Sequence, residues 1–258
     1  MINKEIAMNL MEVISEKYNE LLGKNLVGIY VHGSIGFGCF SWDRSDIDFI
    51  VVINEPISQQ TKLQLLRVLT DLEKQAPPKG FEMSIVLEKF CKSFVYPTPY
   101  ELHFNSVHTE EYTRELLSLC NDERIDEDLA AHFMVIKSVG VVIYGAPINN
   151  VFGVVPREAF LDSICKDVAG SSAKEDIAFD SVYIILNSCR VYAYIKDGLV
   201  LSKEQGGKWG LANLPEKYHN LISAMLDNYV NGSAFSNDET EQIQFVDYML
   251  ELIFNTTK

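Results

Sequence analysis

Two aspartates separated by one residue, Asp46 and Asp48, follow the pair Gly33 and Ser34 after a spacer of eleven residues. In an extended strand, side chains two positions apart point to the same face. Both carboxylates should therefore share one side of the apolar segment 46–53, where their repulsion and desolvation are costly without a counterion. A divalent cation would relieve this conflict, because hard cations prefer carboxylate oxygens. For the two aspartates alone, a solvated strand start that needs no ligand is the alternative.

The Gly-Ser pair favours an anion beside that cation. The apolar run 26–32 predicts a strand that ends just before Gly33. A glycine after a strand lets backbone N–H groups approach a phosphate closely, and the hydroxyl of Ser34 adds a further donor. Together with Asp46 and Asp48, the pair predicts a site for a metal ion and a phosphate group.

A third carboxylate lies in the next predicted strand. Glu82 is the one acid in the apolar segment 81–87, which follows the strand-breaking run 77–80. In a site of this kind, Glu82 would either complete the metal site or accept a proton from an acceptor hydroxyl. A glutamate on an edge strand that faces solvent is the alternative interpretation.

The elements that must position these residues divide the chain into three parts. We predict an α+β protein with an N-terminal domain at 1–107, in which helices flank a small mixed β-sheet, a connecting helical segment at 108–155 and an all-α helical bundle at 156–258. Two such domains favour a cleft in which the second domain helps to bind an acceptor. Helices are predicted at about 3–22, 58–75, 108–120, 127–139, 156–170, 176–197, 202–212, 216–229 and 238–255, and strands at 26–32, 46–53, 81–87 and 101–105.

Composition limits the class of partner. The formal net charge is −14 and no basic residues cluster, which disfavours binding to nucleic acid. The acidity would attract a cationic acceptor instead, although it is also common in proteins that are merely soluble. The cysteines form no C-x-x-C pair, and no apolar stretch approaches the length of a membrane span. We therefore expect a cytoplasmic protein without membrane contact, and we expect it to be a monomer.

The Gly-Ser pair, the spacer and the Asp-x-Asp strand resemble the nucleotidyltransferase superfamily that includes DNA polymerase beta. Further segments extend the resemblance, over nearly the whole chain, to the bacterial aminoglycoside nucleotidyltransferases of the streptomycin/spectinomycin type. These segments are Tyr96-Pro97, Glu101-Leu102-His103-Phe104, Asp128-Leu129-Ala130, Tyr144-Gly145, Val155-Pro156, Asp180, Arg190, Ser202-Lys203 and Leu214-Pro215-x-x-Tyr218. The resemblance implies a nucleotidyltransferase domain that, with magnesium, transfers AMP from ATP to a hydroxyl of a small cationic acceptor. Such acceptors are aminoglycoside or aminocyclitol antibiotics, with pyrophosphate as the second product.

The resemblance also implies roles for the residues of the predicted site. Asp46 and Asp48 match the family's metal-binding aspartates, and Glu82 matches its catalytic base. These three acids would hold one or two Mg²⁺ ions, with ATP as the co-substrate. Gly33 and Ser34 would hold the triphosphate.

Lys203 matches a lysine that contacts phosphate in the family. Ser202 and Gln205 have the spacing of a capping box, which would make Lys203 the first residue of a helix. At that position the helix dipole disfavours a cation unless an anion is near, and a triphosphate would be such an anion. An exposed lysine in an ordinary first turn is the alternative.

The candidate acceptor-binding residues are Asp180, Tyr100 and His103. Asp180 matches an acidic residue that reaches the site from the helical domain of the family, and His103 lies in a matched segment. The chain departs from the family at Val107 and near Ile177, where tryptophans are usual. Tyr100, Phe179 or Tyr183 could compensate for these lost aromatic contacts.

These departures leave other functions open. The missing tryptophans favour an adenylyltransferase that acts on a protein or another metabolite. A catalytically silent nucleotide-binding or antitoxin-like module is a second alternative, which the intact Asp46, Asp48 and Glu82 oppose. Polynucleotide addition is the third, and the acidity of the chain makes it the least favoured.

Overall fold

A computed structural model describes residues 2–106, 124–169, 173–235 and 238–256. The chain forms two compact units, of which unit 1 ends at Pro156 and unit 2 begins at Arg157. Unit 1 combines a mixed sheet with helices and unit 2 is helical where it is described, so the predicted α+β class is confirmed. The helix predicted at 108–120 lies outside the described residues, as does Val107.

Strands and helices alternate along unit 1. Its strands are β1 (Leu26–Val31), β2 (Ile47–Ile53), β3 (Phe81–Leu87), β4 (Thr98–Tyr100), β5 (Leu102–Asn105), β6 (Arg124–Asp126) and β7 (Val141–Gly145). Its helices are α1 (Ile2–Leu22), α2 (Gly33–Phe37), α3 (Gln59–Leu72), α4 (Glu88–Lys92), α5 (Leu129–Val139) and α6 (Ile148–Val151). A five-stranded sheet has the order β5-β3-β2-β1-β7, while β4 and β6 pair separately. Strands β2 and β3 are parallel, and the other neighbours are antiparallel.

The sheet lies at the centre of the core of unit 1. Strands β1, β2 and β3 are short apolar runs that are buried along most of their length, which is typical of strands covered on both faces. Helix α1 adds an apolar stripe to this core, because Leu10, Met11, Ile14 and Tyr18 recur at helical spacing. The hydroxyl of Tyr18 donates a hydrogen bond of 3.2 Å to the carbonyl of Leu65, which joins α1 to α3.

The sequence pattern after residue 108 predicts helices alone, but the structure has two strands in this part of the chain. Val141–Gly145 form edge strand β7 beside β1, and Arg124–Asp126 pair with Thr98–Tyr100. Gly145 has φ +88°, and a Cβ there would lie 2.0 Å from the carbonyl oxygen of Val27, so the close approach of β7 to β1 requires glycine. A five-residue apolar run is ambiguous in sequence, and here the pairing with β1 decides its conformation.

Unit 2 consists of helices in its described part. They are α7 (Arg157–Lys166), α8 (Ala173–Asp197), α9 (Lys203–Asn213), α10 (His219–Asn231) and α11 (Glu239–Thr256). The predicted capping box is confirmed, since Ser202 and Gln205 exchange side-chain to backbone hydrogen bonds at the start of α9. Gly207 lets α9 pack closely, because a Cβ there would lie 2.6 Å from Leu226 and 2.8 Å from Leu186. Among the helices described in either unit, none has the length and apolar character needed to span a bilayer.

Candidate active site

Parallel pairing of β2 and β3 places the predicted acids side by side. Asp48 and Glu82 are direct partners in this register, and Asp46 immediately precedes β2. The ligand oxygens of the three carboxylates lie within 4.8 Å of one another. In the part of the chain that the structure describes, no other group of three or more acidic, histidine or cysteine side chains converges in this way.

Glu82 lies in an interior strand of the sheet. Strand β3 pairs with β2 on one side and with β5 on the other, so the interpretation of Glu82 as an edge-strand residue is wrong. Residues paired directly across strands point to the same face, and the register therefore aligns Asp48, Glu82 and Asn105 in one row. Two residues further along the strands, Ser84 and His103 form the next row on that face.

Burial and neighbouring charges act on Glu82. Desolvation and the nearby carboxylate of Asp46 raise the pKa of Glu82 to about 7. A hydrogen bond with Asp48 opposes this shift, whereas Asp128 and Asp126 add to it. The protein by itself therefore does not offset the cost of burying a negative charge on Glu82 beside other carboxylates.

The three carboxylates fit a hard divalent cation. Their oxygens are close enough to share one ion, and oxygen ligands are those that Mg²⁺ prefers. A divalent charge would offset the repulsion that raises the pKa of Glu82, and it would favour the ionised carboxyl. Asp46, Asp48 and Glu82 are therefore the residues of the described chain that could hold a metal ion.

The Gly33-Ser34 segment is held directly against the acids. The backbone N–H of His32 donates a 3.0 Å hydrogen bond to the carbonyl of Asp48, and Gly33 follows with φ +55°. Ser34 begins the short helix α2 with Gly33, and its buried Oγ has no hydrogen-bond partner in the structure. A buried hydroxyl without a partner is costly, so this atom is suited to a ligand that supplies an acceptor.

Replacement of Gly33 by alanine should destabilise unit 1. A Cβ at this position would lie 1.9 Å from Oδ2 of Asp48, and the positive φ is itself unfavourable for alanine. We expect a loss of about 2–4 kcal/mol in the free energy of unfolding, measured by urea denaturation.

The matched control is Gly38→Ala. Gly38 also has a positive φ, of +77°, but a Cβ there would meet nothing within 4 Å. It should lose only the backbone term of about 1–2 kcal/mol. Equal losses for Gly33→Ala and Gly38→Ala would contradict the contact between residue 33 and the Asp48 carboxylate.

His32 supports this segment from within the core. Its ring is buried and lies 4.8 Å from the ring of His132 on α5, measured between centroids. Burial, and to a lesser extent His132, hold the pKa of His32 well below its usual range. His32 is therefore neutral near pH 7 and packs the Gly-Ser segment against α5.

His103 and Tyr100 lie near one another in unit 1. The Nδ1 atom of His103 and Oγ of Ser84 are 2.9 Å apart in a hydrogen bond, and the rings of His103 and Tyr100 have centroids 6.1 Å apart. Since Ser84 follows Glu82 by two residues on the same strand face, His103 lies about 7 Å along the strand direction from the acid row. Both residues thus belong to the surroundings of Glu82 rather than to the group of converging acids.

Lys203 and Asp180 belong to unit 2. Lys203 is the first residue of α9, and its Nζ lies 4.6 Å from the centroid of the Tyr183 ring. Asp180 interrupts α8 with non-helical backbone angles, and its Oδ1 accepts a hydrogen bond of 2.9 Å from the N–H of Tyr183. Asp180 therefore caps the second segment of α8 with an exposed carboxylate.

Sequence reasoning assigned no role to Asp126, Asp128 or Asn105. The first two act electrostatically on Glu82, and Asn105 pairs with it across the strands. Asp128 lies in one of the segments that carry the family resemblance, and this could have indicated a functional role for it. No local pattern points to Asp126, because its position depends on the pairing of β6 with β4.

Comparison with known proteins gives one family and a set of relatives. Residues 150–252 match the family described as aminoglycoside adenylyltransferase, C-terminal domain. The spectinomycin 9-adenylyltransferase of Enterococcus faecalis is 23% identical over 237 residues, covering 88% of this chain and 90% of the relative. That of Staphylococcus aureus strain Mu50 is 22% identical, with 81% and 80% covered, and that of Campylobacter jejuni is 21% identical, with 96% of each covered.

The fold is similar to that of a solved structure. The spectinomycin adenyltransferase AAD(9) from Enterococcus, determined with ATP and spectinomycin, superimposes with a TM-score of 0.79 at 19% sequence identity. The match covers 95% of this chain and 98% of that one. At this identity, the comparison establishes a shared fold.

Proposed function

This chain belongs to the aminoglycoside adenylyltransferase family, and on that premise we propose that it transfers AMP from ATP to a hydroxyl of a small cationic acceptor in a magnesium-dependent reaction. The observation that carries the proposal is the convergence of Asp46, Asp48 and Glu82 within 4.8 Å, with Gly33, the residue before Ser34, packed against the Asp48 carboxylate. Nucleotidyl transfer requires metal ligands and hydrogen-bond donors to phosphate in one place.

The protein's own groups divide the work of the reaction. Asp46 and Asp48 would hold Mg²⁺, while Gly33 and Ser34 would offer hydrogen-bond donors to the triphosphate. The metal, when bound, neutralises negative charge on the triphosphate. Glu82 accepts the proton of the acceptor hydroxyl as that oxygen forms its bond to the α-phosphorus. The bond from the α-phosphorus to the bridging oxygen breaks, and pyrophosphate leaves with the electron pair.

The acceptor we propose is an aminocyclitol or aminoglycoside, with spectinomycin as the first compound to test. The relatives from Staphylococcus, Enterococcus and Campylobacter are named for that drug. We assign Asp180 to the ammonium groups of the acceptor and Tyr100 and His103 to its neighbouring polar and apolar surface. Lys203 is assigned to the triphosphate.

Pyrophosphate release tests the proposal. The protein is incubated with ATP, Mg²⁺ and a panel containing spectinomycin, streptomycin and other aminoglycosides, with an Asp46→Asn/Asp48→Asn double variant as the control. Release with one drug that disappears in the control would support the assignment and identify the acceptor. Silence across the panel, with ATP still bound, would overturn the antibiotic as acceptor.

Ionisation of Glu82 should also lower the free energy of unfolding of the protein without metal. Its folded pKa of about 7 lies above the ordinary value of 4.5, so the stabilising contribution is complete below pH 4.5 and is lost as the pH rises to about 7. The Glu82→Gln variant does not lose this stability as the pH rises, because glutamine carries no charge. We expect the variant to gain about 1–3 kcal/mol over the wild type in urea unfolding at pH 8 but little at pH 4.5.

Glu55→Gln is the control for this pH effect, because Glu55 is an exposed glutamate two residues after the end of β2. It should show no gain that depends on pH. Added Mg²⁺ should shrink the advantage of Glu82→Gln, since it stabilises the wild-type carboxylates. A gain that is the same at both pH values would contradict the charge of Glu82 as its cause.

A further inference from the structure

Asp167 of unit 2 divides its carboxylate between two partners. It directly follows α7, and its Oδ2 lies 3.2 Å from Nη2 of Arg190 on α8. Its Oδ1 accepts a hydrogen bond of 3.2 Å from the hydroxyl of Tyr183, on the same helix as Arg190. Both side chains of the ion pair are 25% exposed, so the pair is more shielded from solvent than a typical surface pair.

Tyr183 connects Asp167 to the lysine at the start of α9. The Nζ of Lys203 lies 4.6 Å from the centroid of the Tyr183 ring, within the range of a cation-π contact. Burial raises the pKa of Tyr183 far above neutral pH, with Asp167 contributing in the same direction. The phenol therefore remains protonated and donates to Asp167 throughout the working range of pH.

The backbone of Lys203 is fixed independently of this chain of contacts. The capping box of Ser202 and Gln205 sets the beginning of α9. Gly206 brings that helix against α8, because a Cβ there would lie 2.7 Å from Cβ of Arg190. What the backbone does not fix is the conformation of the Lys203 side chain, and ordering a lysine side chain costs up to about 2 kcal/mol of rotamer entropy.

We infer that Asp167 is a positioning residue that holds the Lys203 ammonium in place for the triphosphate of ATP, through the hydroxyl and ring of Tyr183. The order of contacts is Arg190 to Asp167, Asp167 to Tyr183, and Tyr183 to Lys203. This inference rests on the proposed role of Lys203 in ATP binding. It adds Asp167 and Tyr183, neither of which the sequence analysis connected to the nucleotide.

A purely structural role would give a different result from a positioning role. An ion pair that only stabilises unit 2 would affect the unfolding midpoint and leave the binding of ATP unchanged. A positioning residue affects ATP binding through Lys203, so its effect should vanish when Lys203 is removed. The test therefore measures the Kd of ATP with Mg²⁺ by calorimetry, which needs no acceptor, alongside the unfolding midpoint.

Asp167→Ala should weaken ATP binding about tenfold, and Tyr183→Phe, which keeps the ring and removes only the hydroxyl, should weaken it about threefold. Asp167→Asn retains an acceptor for the Tyr183 hydroxyl and should recover most of the loss. The matched control is Asp162→Ala, which removes an aspartate on α7 whose pair with Lys166 is 48% exposed on both sides. This control should leave the Kd of ATP unchanged.

The decisive comparison is made in a Lys203→Ala background. There, Asp167→Ala should change the Kd of ATP by about twofold or less. If Lys203→Ala weakens ATP binding while Asp167→Ala and Tyr183→Phe do not, the positioning role is overturned and the proposed function stands. If Lys203→Ala has no effect on ATP binding, the premise itself is overturned.

Discussion

Glu82→Gln is expected to lower the rate of AMP transfer by about 10²–10⁴-fold while ATP still binds, which is the usual contribution of a general base. Glutamine keeps the size and shape of the side chain but cannot accept a proton from the acceptor hydroxyl. The interior position of β3 keeps the residue in place, so the loss should fall on kcat rather than on folding. The measurements are kcat for pyrophosphate release and the Kd of ATP.

Glu88→Gln is the control for this experiment. Glu88 begins α4 directly after β3, and it pairs with Lys92 at 2.8 Å, away from the converging acids. Its substitution should change kcat by about twofold or less, because Glu88 lies at the opposite end of β3 from Glu82 and its partly exposed i,i+4 pair contributes little. A Glu82→Gln enzyme with near wild-type kcat would remove Glu82 from the role of base.

Asp48→Asn is expected to reduce transfer by about 10³-fold or more at millimolar Mg²⁺, because it removes one charged ligand from the group of acids. The same change should not weaken the fold. Asparagine keeps the size of the side chain and its ability to hydrogen-bond with Glu82, so the unfolding midpoint of the protein without metal should stay close to that of the wild type at pH 8. An inactive variant with an unchanged or higher unfolding midpoint separates loss of metal from loss of structure.

Asp43→Asn provides the comparison for Asp48→Asn. Asp43 is an exposed aspartate in the segment before β2 and is not one of the converging acids. It should retain wild-type activity at every Mg²⁺ concentration. If Asp48→Asn also retained full activity with an unchanged dependence on Mg²⁺, Asp48 would not be a metal ligand.

The strands that carry the acids could be predicted from short-range pattern. The apolar runs at β1, β2 and β3 lie between clear breakers, and the structure places Phe81–Leu87 at the predicted bounds. Alternation two residues apart placed Asp46 and Asp48 together, and the structure brings them to the same place as Glu82. These features depend on residues that are close together in the chain, so they can be predicted from the sequence.

Features that depend on distant pairing were not predictable in the same way. Strand β7 reads as an ambiguous apolar run, and only its hydrogen bonds to β1 make it a strand. Asp126 reaches the surroundings of Glu82 because β6 pairs with β4. The need for glycine at position 33 depends on its positive φ and on Asp48, whose Oδ2 would lie 1.9 Å from a Cβ there.

By itself, the sequence determined the types and spacing of the acids, the Gly-Ser pair, the helix caps and the α+β class, because each is encoded within a few neighbouring residues. Tertiary structure alone decided that Glu82 lies in an interior strand next to Asp48, and that its pKa is raised to about 7. It also decided that Asp167 touches both Tyr183 and Arg190. Burial and electrostatic coupling arise from residues far apart in the chain, so they exist only once the strands and helices have packed.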